Sequence, residues 1–282
     1  MRNLKLILSY DGSEFAGWQV QPGWATVQGT LAHAIGRLSG ENVLPQGSGR
    51  TDAGVHALAQ VASFVTASPI PIENWALALN DLLPPSIRVL EVTEAAPDFH
   101  ARKSAHAKTY RYRMHRGPIC APFVARYVWH YPYPLDEAAM AEAAGVMAGE
   151  HDFTSFAAVD PERVERMTAS EEGESCAIAP TQTVPAEIAH LKLPIVAPAI
   201  APTNVRKIFS AAWIREGDEL IYTVRGNGFL HHMVRNLVGT FVLVGKRTVS
   251  LEDLRRILAS RERSAAGPTA PASGLFLVSV EY

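Results

Sequence analysis

The first 92 residues alternate between strand-like and helix-like hydrophobic patterns, which restricts the chain to folds in which helices cover a β-sheet. Leu4, Leu6 and Leu8 occupy every second position, the spacing of one face of a strand. Between the strand-like stretches, apolar residues recur at the spacing of one face of a helix. The predicted order is a strand at 2–9, a helix between 26 and 40, a strand at 59–66, a helix between 72 and 84, and a strand at 87–92.

The second half of the chain gives similar signals without repeating the sequence. Tyr110 and Tyr112 share one face of a predicted strand, while Arg111 and Arg113 share the other face. Further elements are predicted as a helix near 136–148, a hairpin of strands 207–215 and 219–226, a helical stripe from 230 to 241, a helix ending at Leu258 and a strand from 275 to 282. A crossover at 95–106 then predicts two domains, at 1–105 and 106–282.

Residues 160–204 differ in kind, because they are acidic at first, then rich in proline and alanine, and have no sustained periodicity. We predict a long insertion there in the C-terminal domain. From 160 to 187 the chain has seven acidic and two basic residues, whereas from 101 to 117 it has six basic residues and no acidic one. The net charge of −2 therefore hides a basic band that could contact nucleic acid.

The composition is that of a folded protein, with 48% hydrophobic and 19% charged residues. Cys120 and Cys176 have no metal-type spacing and suggest a reducing, intracellular location. The N-terminus lacks the continuous apolar core of a signal peptide, and the longest apolar runs are too short to span a bilayer. We therefore expect a cytoplasmic protein without a membrane partner.

A glycine-rich segment at 46–56 presents Arg50 and Asp52 two positions apart. Asp52 is the only acidic residue between Glu41 and Glu73. One interpretation is a surface turn in which Asp52 caps neighbouring backbone N–H groups. The other is a site in which glycines permit close approach of a ligand and the arginine and carboxylate act on it.

Two further patterns have both a chemical and a structural interpretation. His231 and His232 could suggest a metal, but neighbours on a helix point about 100° apart, and no third ligand is evident, so we predict no metal site. Tyr110 and Tyr112 could pack in the core, as strand aromatics commonly do. Among basic residues they could also stack on unpaired bases.

The ordered set of short motifs in the chain resembles the TruA family of tRNA pseudouridine synthases over nearly its whole length. The most specific is Gly49-Arg50-Thr51-Asp52-Ala53-Gly54-Val55-His56, which fits the family's catalytic motif. Others follow in the expected order, among them Tyr10-Asp11-Gly12, Gly17-Trp18-Gln19, Phe99-His100-Ala101-Arg102, Lys108 with Tyr110 and Tyr112, Asp152-Phe153-Thr154-Ser155-Phe156 and Met233-Val234-Arg235-Asn236. Three departures are the long insertion, Ala32 in the first helix and Ser48 before the catalytic motif.

The resemblance implies roles for four residues. Asp52 matches the catalytic aspartate, which attacks the target uridine either at C6 of the base or at C1′ of the ribose. Tyr110 matches the tyrosine that packs against the target base. Arg50 is expected to occupy the space that the flipped base leaves, and Arg235 to pair with Asp52.

The same resemblance implies an activity and a fold. Similar proteins isomerise uridine to pseudouridine at positions 38, 39 and 40 of the tRNA anticodon stem-loop, as homodimers with the RNA across both subunits. The reaction has no redox change, so we expect no cofactor and no metal. The implied fold is α+β, the pseudouridine synthase fold, with two domains whose largely antiparallel sheets are flanked by helices around a central basic cleft.

Two other classes of function stay open on sequence alone. An RNA-binding module without activity would use the same basic band and tyrosines, and Asp52 is the feature that distinguishes an enzyme from it. A nucleotide or sugar-phosphate hydrolase built on Asp52 would need a second carboxylate or a metal set nearby, and the sequence offers neither.

Overall fold

The period-two pattern at the N-terminus produces a strand with one buried face, because Leu4, Leu6 and Leu8 are fully buried in β1. A computed structural model describes residues 1–158 and 203–282 of the chain. The insertion predicted near 160–204 lies outside these residues, except for its last two positions.

Ten strands of the described residues form one sheet, in the order β4-β1-β3-β10-β5-β9-β8-β7, with the short strands β2 and β6 attached to β3 and β5. The strands are β1 Arg2–Tyr10, β2 Gln46–Gly47, β3 His56–Thr66, β4 Ile87–Ala95, β5 Ala107–His115, β6 Trp129–His130, β7 Gly149–Asp152, β8 Val205–Glu216, β9 Glu219–Gly226 and β10 Leu275–Glu281. Within these ranges the pairings are antiparallel except β10 with β3 and β6 with β5.

Local capping signals mark the ends of two helices. Thr26 accepts a hydrogen bond from the Gly29 amide at the start of α1, and Gly40 ends this helix at φ 75°. Ser250 and Asp253 form a reciprocal capping box at the start of α6. The helices are α1 Val27–Ser39, α2 Ile72–Leu82, α3 Pro122–Ala125, α4 Glu137–Val146, α5 Met233–Gly245 and α6 Leu251–Ser260.

Helices pack against the sheet in both halves of the chain. The first strands pack against α1 and α2, where Leu31, Ile35, Trp75 and Leu79 are buried. In the second half, the rings of Tyr222 in β9 and Phe241 in α5 meet edge to face with centroids 5.3 Å apart. The predicted α+β architecture, with a largely antiparallel sheet and flanking helices, is confirmed.

The last strand joins the two halves of the chain. β10 pairs in parallel with β3 through Phe276 and Leu277, and antiparallel with β5 on its other side. The sheet is therefore continuous across the predicted boundary near residue 105, and the division into two domains stays a prediction. Within the described ranges, no helix has the length and apolar character to cross a bilayer.

The main difference from the sequence prediction lies before α5. The apolar stripe was expected to be helical from Leu230, but the helix begins at Met233. His232 precedes it in the left-handed conformation, at φ 58° and ψ 3°. The short elements β6, β7 and α3 were not predicted, because two to four residues are too few for a recognisable period.

Candidate active site

Asp52 lies in the loop that joins β2 to β3, and the backbone of this loop is held in place on both sides of the residue. The Thr51 carbonyl accepts a hydrogen bond from the Trp18 amide at 3.0 Å. The Thr51 hydroxyl oxygen lies 2.8 Å from the Tyr10 hydroxyl oxygen. Gly54 turns the chain at φ 78°, a conformation that favours glycine. The loop thus fixes the main chain from which the Asp52 carboxylate projects.

The start of the loop is anchored by side chains from two strands. In β3, Gln60 accepts a hydrogen bond from the Ser48 hydroxyl at 2.6 Å and donates one to the Gly49 carbonyl at 3.0 Å. In β5, Lys108 donates to the Ser48 carbonyl at 2.5 Å. Burial, with smaller effects from the charges of Arg102 and Arg206, lowers the Lys108 pKa to about 8. Several cations therefore approach the loop, as a basic cleft requires.

Arg235 on α5 forms an ion pair with the candidate nucleophile. Its Nη1 donates to Oδ2 of Asp52 at 2.8 Å, and its Nε donates to the Ala270 carbonyl at 2.8 Å. The Arg235 and Asp52 side chains are only 14% and 16% exposed, so solvent screens this pair weakly. The structure thus brings together the two residues that the resemblance pairs.

The two adjacent histidines also approach the same carboxylate. Nε2 of His231 lies 3.7 Å from Oδ1 of Asp52, and Nε2 of His232 lies 3.4 Å from Oδ2. The expectation that these rings diverge is wrong, because neither residue lies within α5 and the left-handed backbone of His232 turns its ring back. Burial is the main cause that lowers the pKa of His232, partly offset by the charge of Asp52.

Tyr110 forms an aromatic wall near this carboxylate. It is 8% exposed and meets Phe229 edge to face at a centroid distance of 5.0 Å. Burial, with smaller contributions from Tyr10 and from the Asp52 charge, raises the Tyr110 pKa well above its usual range. The ring is therefore neutral at physiological pH, near enough to Asp52 to feel its charge.

Arg50 is exposed and lines a cavity of about 260 Å³ beside the loop. Trp18, Gln46 and Arg102 contribute to the same cavity. Of the four residues proposed from sequence, Asp52, Arg235 and Tyr110 are thus grouped together, while Arg50 lies on the cavity side of the loop.

Three residues that contact this loop or its carboxylate had no role at the site predicted from the sequence. Lys108 could have been found, because it shares a strand face with Tyr110 two positions away. His231 and His232 gave no such signal, since their approach to Asp52 depends on where α5 begins.

The arrangement suits nucleophilic chemistry on a flat, polar ligand. A carboxylate with a fixed cationic partner can attack an electrophilic carbon. The neighbouring tyrosine ring can pack against a base, and surrounding cations can contact phosphates. Each of these features is what a base-modifying enzyme needs.

Comparison with known proteins supports this interpretation. The sequence profile described as tRNA pseudouridine synthase matches residues 6–102 and 197–282. The chain is 48% identical to tRNA pseudouridine synthase A of Solibacter usitatus, with 100% of each chain covered. It is 43% identical to the Moorella thermoacetica protein of that name, covering 99% of each. It is 40% identical to the Brevibacillus brevis protein, covering 100% of each.

A chain of a Cbf5-Nop10-Gar1 complex aligns with 84% of this chain and 53% of its own length, at 10% identity and a TM-score of 0.28. That similarity is too low to support a conclusion. The profile match and the full-length relatives are sufficient by themselves, and this chain belongs to the tRNA pseudouridine synthase family.

Proposed function

We propose that the chain isomerises uridine to pseudouridine at positions 38, 39 and 40 of the tRNA anticodon stem-loop, with Asp52 as the nucleophile. The observation that carries the proposal is the 2.8 Å ion pair between Asp52 and Arg235, close to the ring of Tyr110. The sequence around Asp52 matches the family's catalytic motif, and the chain belongs to a family of isomerases.

The reaction starts with removal of the target uridine from the base stack, at a cost of a few kcal/mol that contacts in the pocket offset. Arg50, beside the loop, fills the space that the base leaves. Tyr110 packs against the extruded base, and its neutral ring suits that apolar contact.

Asp52 then attacks the nucleotide, at C6 or at C1′. The C1′–N1 bond breaks, the base turns, and a C1′–C5 bond forms. The bond between Asp52 and the nucleotide is then broken, which releases the free carboxylate. The C5 proton is lost and N1 gains a proton, so the product is an isomer of the substrate. Arg235 holds the carboxylate oriented throughout by binding Oδ2, which leaves Oδ1 for the attack. Because no electrons are exchanged with another molecule, the residues described supply what this chemistry requires without a cofactor.

The partner is tRNA, through its anticodon arm, and we propose that the protein acts as a cytoplasmic homodimer with one RNA across both subunits. The family resemblance supports both parts of this assembly. Light scattering after size-exclusion chromatography tests it, with a mass near twice 30.6 kDa expected. A protein mass of one chain, both in the free protein and in its complex with tRNA, would contradict the dimer.

Tritium release from tRNA labelled at uridine C5 tests the function directly. The wild type should release tritium, Asp52→Asn should release none while still binding tRNA, and Asp98→Asn, an exposed carboxylate outside the site, should match the wild type. Absence of release from any tRNA would leave an RNA-binding module. Equal release by wild type and Asp52→Asn would remove Asp52 from the mechanism.

A further inference from the structure

His231 and His232 direct both rings to one carboxylate through an unusual backbone. His232 is one of only three non-glycine residues with positive φ among those described, a conformation that costs about 1 kcal/mol or more. It places the two rings side by side in a tilted arrangement, with centroids 4.0 Å apart and planes inclined by 37°. Within a regular helix the same two side chains would diverge.

The three side chains present ligand atoms at distances that suit one metal ion. One nitrogen from each histidine and one oxygen of Asp52 all lie within 4.8 Å of one another. Zn²⁺ binds imidazole nitrogen and carboxylate oxygen at about 2.0–2.2 Å, which puts neighbouring ligand atoms of a tetrahedral site roughly 3.4 Å apart. The nitrogen–oxygen distances are close to that spacing, at 3.7 Å from His231 to Oδ1 and 3.4 Å from His232 to Oδ2, so each imidazole lies near a different oxygen of the carboxylate. Among residues 1–158 and 203–282, no other such group occurs.

We propose that Asp52, His231 and His232 bind a divalent transition-metal ion such as Zn²⁺, and that this ion inhibits the protein by occupying the carboxylate. Zinc and cobalt favour a ligand set of two imidazoles and one carboxylate. Mg²⁺ does not favour this set, because it prefers oxygen ligands. The ion has no part in the isomerisation. The binding half of the proposal stands on geometry alone, and the inhibition half rests on the proposed function.

The surrounding charges make the site a reversible one. Arg235 binds the same oxygen that His232 approaches, so its guanidinium repels an incoming cation and competes for Oδ2. Arg263 is a further positive charge that acts on His232. We therefore expect weaker binding than in a permanent zinc centre, where no cation competes.

Direct binding measurements on the full chain test the site. Zn²⁺ titrated calorimetrically should bind with one ion per chain, and Co²⁺ in its place should give visible absorption from nitrogen and oxygen coordination. His231→Ala and His232→Ala should each weaken Zn²⁺ binding at least about tenfold, since loss of even an indirect partner costs that much. Asp52→Asn provides a third ligand variant.

The control is His130→Ala, because His130 is remote from Asp52 and its Nε2 contacts the Gly117 carbonyl at 3.0 Å. This variant should bind Zn²⁺ like the wild type, and thermal melts should show that all four variants are folded. Equal affinity of the wild type and the three ligand variants, or no binding by the wild type, would overturn the site.

Inhibition is tested separately by tritium release. Release by the wild type should fall as Zn²⁺ saturates the calorimetric site, recover when EDTA is added, and be unaffected by the same concentration of extra Mg²⁺. Unchanged release from a Zn²⁺-saturated protein would contradict the inhibition. If the chain isomerises no tRNA at all, the proposed function fails, while the calorimetric result still decides the metal site.

Discussion

Nη1 of Arg235 lies 2.8 Å from Oδ2 of Asp52, although 183 positions separate the two residues in the sequence. The contact links the loop before β3 to the first turn of α5, so the site is complete only when both halves of the chain are folded together. Both side chains are largely shielded from water. Removal of either charge therefore leaves the other poorly compensated.

Arg235→Gln should cost about 2 kcal/mol or more of transition-state stabilisation, roughly a thirtyfold loss in kcat, because Asp52 loses its cationic partner. Single-turnover tritium release measures this. Arg256→Gln is the matched control. Arg256 also forms ion pairs, with Glu252 and Asp253, but its side chain is 67% exposed, and ion pairs at exposed positions contribute little. Equal kcat values for the two variants would refute the role of Arg235.

Tyr110→Ala should weaken productive tRNA binding by about 1–3 kcal/mol, the usual contribution of one aromatic ring stacked on a base. Tyr110→Phe keeps the ring and should retain most of the affinity. Filter binding and the KM for tRNA measure the difference. Tyr133→Ala, at a side chain that is 66% exposed, is the control for loss of a tyrosine outside the site. Identical binding by the two Tyr110 variants would mean that the ring does not contact the base.

Lys108 should give a pH-dependent stability difference. Its pKa falls from 10.5 to about 8 in the folded state, so between these values the unfolded state binds more protons and stability increases with pH. The penalty of burying the ammonium is fully present below pH 8 and is relieved toward pH 10.5. Relative to Lys108→Met, the wild type should gain up to about 1.4 kcal/mol per pH unit in this window.

Urea unfolding at pH 7.5 and 9.5 measures this gain. Lys103→Met, at an exposed lysine, is the control. The difference in free energy of unfolding between this variant and the wild type should be the same at both pH values. If the difference in free energy of unfolding between Lys108→Met and the wild type is also independent of pH, then Lys108 has the same pKa in the folded and unfolded chain.

Two helix glycines should respond in opposite directions to alanine. A Cβ at Gly239 in α5 would lie 1.7 Å from the Pro268 carbonyl oxygen, so Gly239→Ala should destabilise the protein by about 2 kcal/mol or more. It should also lower activity, because Ala270, which accepts from Arg235, follows two residues after Pro268.

A Cβ at Gly145 in α4 would meet open space, so Gly145→Ala should stabilise the protein by up to about 1 kcal/mol. Thermal melts of both variants measure the two signs. Destabilisation of similar size in both variants would contradict the predicted clash between a Cβ at position 239 and the Pro268 carbonyl.

Local signals in the sequence predicted most of the elements, and the family resemblance indicated Asp52, Arg235 and Tyr110 as site residues. Thr26 and the Ser250–Asp253 pair begin helices and Gly40 ends one, and such signals are local because a cap satisfies backbone groups only a few residues away. The alternation predicted that Tyr110 and Tyr112 share one face of a strand, because side chains on a strand alternate between its faces, and both residues are buried. Asp52 was identified by its motif.

Only the tertiary structure decided how these parts combine around Asp52. The parallel pairing of β10 with β3, the contact of Lys108 with Ser48, and the left-handed turn at His232 have no local signal. Each depends on partners distant in the chain, whose combined contacts outweigh local preference and stabilise even a strained residue. The sequence by itself thus determined the elements and the identity of the candidate nucleophile, whereas long-range packing determined which cations and imidazoles surround its carboxylate.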